Sequence, residues 1–237
     1  MNIKAPIKRI FSVVLWCAIG GAGLALIIAA INKKNSGLCK GMEIQINDDG
    51  NGIFLNKKDV VRLLEKEGLK DIQDKKVQLF NLHKFEEGLS KQPWIKDVQL
   101  YFDNNQILKV RITERQPEAR IFMISGNSCY MDSSGKQLPV IAPMPLKLPV
   151  FTGYPAEKIG LRSDSILDHQ IKEISAFLNR DPFWSNAIEQ VNITPSKTFE
   201  MIPLIGNQVI EFGSGNDYEN KFHRLLVFYK RVMTKTG

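Results

Sequence analysis

The stretch IKDVQLYFDNNQILKVRITE, residues 95–114, alternates apolar and polar side chains in two runs with a break between them. Val98, Leu100 and Phe102 share one face of the first run, and Leu108, Val110 and Ile112 share one face of the second. Between them Asp103-Asn104-Asn105 supplies side chains that bond their own backbone and favour a turn. Two half-buried strands around such a turn make a β-hairpin. A lone hairpin is marginal in water, so its apolar face needs a cover.

The residues before the hairpin supply that cover. The spacing predicts a helix over 81–90 that buries Leu82, Phe85 and Leu89. A second helix is predicted over 56–66, capped by Asn56, with Val60, Val61, Leu63 and Leu64 on its apolar face and Gly68 at its end. Further back, Asp48-Asp49-Gly50-Asn51-Gly52 interrupts the chain, and residues 42–46 alternate as a strand. The order is β-α-α-β-β within about 75 residues.

Residues 115–237 read differently, as short strands with two helices. Strands are predicted around 119–124, 128–131, 149–151, 190–193, 198–203 and 208–212. Residues 138–149 hold four prolines and read as an extended loop. A helix starting at Ser163 or Asp164 carries Ile166, Leu167, Ile171, Ile174, Phe177 and Leu178, and a last helix over 217–234 carries Tyr218, Phe222, Leu225, Leu226 and Tyr229. Gln116-Pro117 favours an extended boundary between the two modules.

Ahead of both modules, residues 10–31 run for 22 residues without a charge. As an α-helix at about 1.5 Å per residue this segment is long enough for a hydrocarbon core of about 30 Å. It is longer than a signal-peptide core and ends in Ile31-Asn32-Lys33-Lys34, so it reads as a retained anchor. Basic residues flank it on both sides, and the short tail of residues 1–9 makes N-in, C-out the expected arrangement.

The chain carries a net charge of +7, and no acid precedes Glu43, so setting aside Lys4, Lys8 and Arg9 leaves +4 beyond the tail. Those charges are interspersed, and no basic stripe with interleaved aromatics points to nucleic acid. His83, His169 and His223 are scattered, and no cysteine or histidine stands at metal-ligand spacing. No nucleophile elbow or phosphate loop occurs, so no catalytic, cofactor-binding or metal residue is assigned, and no small-molecule substrate is expected. Asp132 is expected to cap a turn before Gly135. Cys17, Cys39 and Cys129 form no disulfide framework.

Four motifs carry a resemblance. Gln92-Pro93-Trp94-Ile95-Lys96-Asp97-Val98 is similar to the helix-to-strand junction of POTRA (polypeptide-transport-associated) domains. Val110-Arg111-Ile112-Thr113-Glu114-Arg115-Gln116-Pro117-Glu118-Ala119 resembles the V-x-I-x-E-R-x-P-x-A signature of FtsQ/DivIB bacterial cell-division proteins. Tyr130-Met131-Asp132-Ser133-Ser134-Gly135 resembles that family's Y-x-D-x-x-G, and Leu148-Pro149-Val150-Phe151-Thr152-Gly153 its L-P-x-(hydrophobic)-x-G.

The resemblance implies an α+β protein with a single transmembrane helix over 10–31, a linker over 32–37, a POTRA domain over 38–114 and a mixed, mainly β domain over 115–237. It implies a non-enzymatic scaffold in the inner membrane at the division septum, binding FtsB and FtsL and linked to the peptidoglycan synthases FtsW and FtsI. A POTRA-bearing transport or outer-membrane assembly component is the alternative. The family's final helix is usually followed by a strand implicated in docking FtsB, whereas this chain stops at Lys235-Thr236-Gly237. Either that strand is missing or the partner-binding edge lies elsewhere. The expected docking region is the last strand and helix, with Val209, Glu211, Phe212, Tyr218 and Phe222 as candidates.

Overall fold

The structure is a computed structural model that describes residues 14–28, 37–47, 54–140, 146–155 and 165–233. Helix α1, residues 14–28, is apolar and almost wholly exposed. Its 15 residues extend about 22 Å, short of a hydrocarbon core. No helix among the described residues is long and apolar enough to cross a membrane. The expected span over 10–31 continues at both ends outside the described residues.

The rest divides into two compact units, and the division is not a single cut. Among the described residues, 56–91 and 97–112 fall in the first unit with those up to Asn47, whereas 54–55 and 92–96 fall in the second with those from Thr113 on. The Pro93-Trp94 junction thus belongs to the second unit.

The first unit is a three-stranded sheet in the order β1-β3-β2 (Gly41–Asn47, Ile107–Glu114, Ile95–Phe102) with helices α2 (Lys57–Lys66) and α3 (Leu82–Ser90). The α2 start is a reciprocal cap: Asn56 Oδ1 accepts the Asp59 N–H at 2.9 Å, and the Asp59 carboxylate reaches back to the Asn56 N–H. Asn81 caps α3 by accepting from the Lys84 N–H. Val60, Leu64, Phe85 and Leu89 bury the helices' apolar faces, and Leu100, Leu108 and Val110 those of the strands. Each such side chain contributes about 1.5–3 kcal/mol by leaving water.

The second unit is a seven-stranded sheet in the order β10-β9-β8-β7-β4-β5-β6. Its strands are β4 (Pro117–Met123), β5 (Ser128–Asp132), β6 (Gln137–Pro139), β7 (Val150–Tyr154), β8 (Ile188–Ile193), β9 (Phe199–Pro203) and β10 (Ile210–Gly213). The β4–β7 and β7–β8 pairs are parallel, and the others antiparallel. A parallel neighbour needs a long crossover, and helix α4 (Ser165–Arg180) with the short α5 (Trp184–Ala187) provides it between β7 and β8. Ile121, Phe151, Val191, Phe199 and Met201 point from the strands into one core with Ile171 and Ile174 of α4, Trp184 of α5, and Phe222 of α6 (Tyr218–Phe228).

Three elements differ from their sequence expectations. Inside the proline-rich stretch, residues 137–139 pair with β5 as the edge strand β6. Proline is tolerated there because an edge residue can leave its missing N–H on the open side. The turn of helix at Trp184 has too few residues to show a period. The last helix is α-helical only to Phe228 and continues as a π-helical turn over Tyr229–Met233. Cys39 and Cys129 are both buried free thiols, and burial pushes the Cys129 thiol up to about 12.

Candidate functional site

Strand β10 is short and lies at one end of its sheet. It pairs with β9 in the register Ile210↔Met201 and Glu211↔Glu200, with an irregularity before Gly213↔Phe199. Among the described residues no strand lies beyond β10, and nothing outside the β9 pairing bonds the backbone of Ile210–Gly213. An unpaired row of N–H and C=O groups is a template for another extended chain.

Alternation in β10 sends neighbouring side chains to opposite faces. Phe212 turns toward the helices, its ring centroid 4.9 Å from that of Phe222. Phe222 is fully buried, stacked on Phe177 at 4.4 Å and tilted against Trp184 at 5.1 Å. These two aromatics support the edge from beneath as core residues and offer no surface to a partner. Tyr218 packs edge-on against Phe177, and its hydroxyl donates to Glu173 at 3.2 Å. Burial, followed by the Glu173 charge, raises the Tyr218 phenol above its ordinary value. Val209 is 57% exposed and Glu211 is exposed. The five candidates therefore divide into Val209 and Glu211 on the open surface, Phe212 and Phe222 in the core, and Tyr218 half-buried between helices.

Sequence reasoning passed over three residues here. Leu204 and Ile205, in the turn between β9 and β10, are 60% and 82% exposed. Glu200 faces away from the helices, because Phe199, Met201 and Pro203 of the same strand are buried. One Glu200 oxygen accepts from the Asn192 amide at 2.9 Å. Its cross-strand neighbour Glu211 has no ion pair or side-chain hydrogen bond among the described residues. The alternation of Phe199-Glu200-Met201 was a sufficient signal for the face of Glu200, although not for its partner across the ladder.

At the other end of the unit, the expected motifs resolve into structural contacts. Glu114 is buried and accepts the N–H groups of Phe54 at 3.1 Å and Leu55 at 2.6 Å. Arg115 donates to Asp132 Oδ2 at 2.8 Å, so it pairs across the chain instead of with its neighbour Glu114. Asp132 Oδ1 accepts from the Ser134 N–H, the Ser134 hydroxyl and the Lys136 N–H. Burial opposes ionisation of Asp132, but the Ser134 hydroxyl, the Arg115 guanidinium and the two N–H groups outweigh it and hold the carboxyl below its ordinary value. This is a turn cap with its lone pairs committed. Beside it lies a cleft of about 740 Å³ lined by Arg115, Gln116, Glu118, Asp132, Ser134 and Lys147, among others. Burial, then the Asp132 charge, raises the Glu118 carboxyl. Among the described residues no group of three or more His, Cys, Asp or Glu could hold a metal.

The fold defines the class: a small sheet with two helices followed by a larger helix-covered sheet, with residues 37–113 matching the POTRA-like domain. Residues 116–237 match the family described as FtsQ/DivIB, C-terminal related, and the chain belongs to the FtsQ/DivIB family. Over 155 residues it is 28% identical to the cell division protein FtsQ of Geotalea daltonii, which covers 63% of this chain and 54% of that protein. The chain thus matches about half the length of its curated relative.

Proposed function

We propose that this protein is a non-enzymatic scaffold of the bacterial division machinery, which binds FtsB-like and FtsL-like proteins and through them reaches the septal peptidoglycan synthases FtsW and FtsI. The observation that carries the reading is the outer edge of β10, unpaired among the described residues, with Val209 exposed beside it, in a chain of the FtsQ/DivIB family. Such an edge gives affinity through main-chain hydrogen bonds and needs no catalytic group. The uncharged segment over 10–31 supports anchoring in the inner membrane, with residues 1–9 in the cytoplasm and residues 32–237 outside. In this arrangement the linker is 32–37, the POTRA domain 38–114 and the β-domain 115–237.

The test is a photo-cross-linking amino acid at Val209 in the full chain, expressed in dividing cells with a tagged FtsB-like protein. A cross-link from position 209, with none from the exposed Ser125 on the β4–β5 turn, is the expected result. Equal yields at both positions count against docking at β10. A reporter active only outside the cytoplasm, fused after Gly237, should be active, and an inactive fusion would refute the topology.

A further inference from the structure

We infer that the first unit carries a lipid-facing surface, built on Leu38, Lys76 and Leu79, that seats against the anionic headgroups of the membrane holding the chain. This rests on the anchor reading above and adds to it how the first unit meets the bilayer. Residues 37–39 and 74–77 run antiparallel to each other. The Cys39 N–H donates to the Lys75 carbonyl at 2.8 Å, and the Val77 N–H to the Gly37 carbonyl at 2.9 Å. Those bonds flank Leu38 and Lys76, which stand directly opposite each other. Pairs of that kind bring their side chains closest, on one side of the ladder. Lys76 also caps the 3₁₀ turn Val77–Leu79, and its carbonyl accepts the Leu79 N–H at 3.0 Å. Side chains three residues apart in such a turn eclipse each other, so Leu79 stands beside Lys76 as well. Leu38 is 46% and Leu79 73% exposed, with Lys76 exposed between them. Phe80, next in sequence, packs on Phe102 at 5.7 Å, while Leu79 stays outside.

The length of chain ahead of Leu38 selects the occupant. Leu38 follows Ile31, the last residue of the uncharged segment, by seven residues. Even fully extended, that stretch reaches about 25 Å. The headgroup layer beyond the hydrocarbon takes up about 5–7 Å of it. Two leucines around one lysine, tethered this short, are held at the bilayer surface. Exposed leucines gain by entering the boundary between headgroups and acyl chains, and a lysine beside them keeps its ammonium at the phosphates. The stretches 32–40 and 70–79 add charge of the same sign: Lys33, Lys34, Lys40, Lys70 and Lys75 join Lys76, against Asp71 and Asp74. That balance favours an anionic surface over a zwitterionic one.

Lipid composition provides the test. The full chain, carrying Leu79→Cys with Cys17→Ser, is labelled at position 79 with an apolar fluorophore, the buried Cys39 and Cys129 being left in place. It is reconstituted into vesicles of phosphatidylcholine, or of phosphatidylcholine and phosphatidylglycerol in equal parts. A lipid with a spin label on its headgroup quenches any probe that sits at the surface. Quenching should be stronger in the phosphatidylglycerol vesicles and should shrink in high salt. Lys76→Gln should lower the ratio of seated to unseated probe about fivefold, and Lys76→Arg should preserve it. Equal quenching in both lipids, unmoved by salt and by Lys76→Gln, would overturn the recognition of anionic headgroups. No quenching in either lipid, in protein that still floats with the vesicles in high salt, would overturn the lipid-facing surface while leaving the anchor in place. Protein that does not float with the vesicles would remove the anchor reading and this inference with it.

Discussion

Arg115 and Asp132 are joined by a largely buried guanidinium–carboxylate contact of 2.8 Å, which fastens the entry of β4 to the turn after β5. Two signature motifs, one ending the first module and one inside the second, meet in this single bond. Each supplies one half of a clamp, and the Ser134 and Lys136 N–H groups fill the remaining acceptor positions of Asp132.

Asp132→Ala should therefore destabilise the second unit by about 3 kcal/mol at pH 7, since it strands a buried guanidinium as well as deleting the turn cap. The pH dependence has a definite sign. The folded carboxyl titrates below its unfolded value, so its contribution is fully present above an unfolded pKa of about 4 and is lost as pH falls through the folded one. Denaturant melts at pH 7 and pH 3 should show wild type and variant converging in acid. A gap that stays constant with pH would mean the charge of Asp132 contributes nothing.

Glu118 should behave in the opposite sense. Its folded pKa is raised, so the stability linked to its protonation is present below the unfolded value near 4.3 and is lost as pH rises through the folded one. At neutral pH the ionised side chain opposes folding. Glu118→Gln should raise the melting temperature at pH 7 by about 2 °C and leave it unchanged at pH 4. A lower melting temperature at pH 7 would show that Lys172 or Arg180, the cations that favour its ionised form, dominate.

Trp94 tests how far packing was legible. The sequence places it at the junction of a helix and a strand, which leaves its packing partners undetermined. It is buried at 2% exposure, and it stacks on Phe54 at 4.3 Å, meets Tyr130 edge-on at 5.9 Å and donates its indole N–H to the Pro139 carbonyl at 3.0 Å. Trp94→Ala should cost about 3–5 kcal/mol, and Trp94→Phe about 1–2 kcal/mol, because the second keeps a stacking ring and loses one hydrogen bond. Equal losses in the two variants, measured by denaturant unfolding, would assign the whole effect to the indole N–H.

These outcomes mark where sequence reading stops. Local signals carried well: Asn56 caps the helix it was expected to cap, and the hairpin at 95–114 forms with its turn at Asp103, whose carboxylate accepts the Asn105 and Ile107 N–H groups. Each of those signals acts within a few residues. The partners of Trp94, the Arg115–Asp132 pair and the opposition of Glu200 to Glu211 depend on register between segments far apart in the chain, and periodicity says nothing about register across a sheet. At the β10 edge the exposure of Val209 and Glu211 follows from alternation, whereas the burial of Phe212 and Phe222 depends on Phe177 and Trp184 from the crossover between β7 and β8.

The glycines that end two of the motifs separate conformational strain from steric clash. Gly135 has φ +84° and open space where a Cβ would stand, so Gly135→Ala meets only the left-handed backbone penalty. Gly153 has φ +78°, and an added Cβ would lie 2.4 Å from the backbone carbonyl oxygen of Ile193 on the neighbouring parallel strand β8. A backbone atom inside a sheet cannot swing aside as a side chain does. Gly135→Ala should cost about 1 kcal/mol. Gly153→Ala should cost about 3 kcal/mol or more, because β7 and β8 must separate locally as well. Gly135→Asn discriminates further, since asparagine tolerates the left-handed region, and it should recover most of the loss at 135. Denaturant unfolding of the three variants provides the check. If Gly153→Ala proved no worse than Gly135→Ala, the close approach of Ile193 would not be what requires glycine at that position.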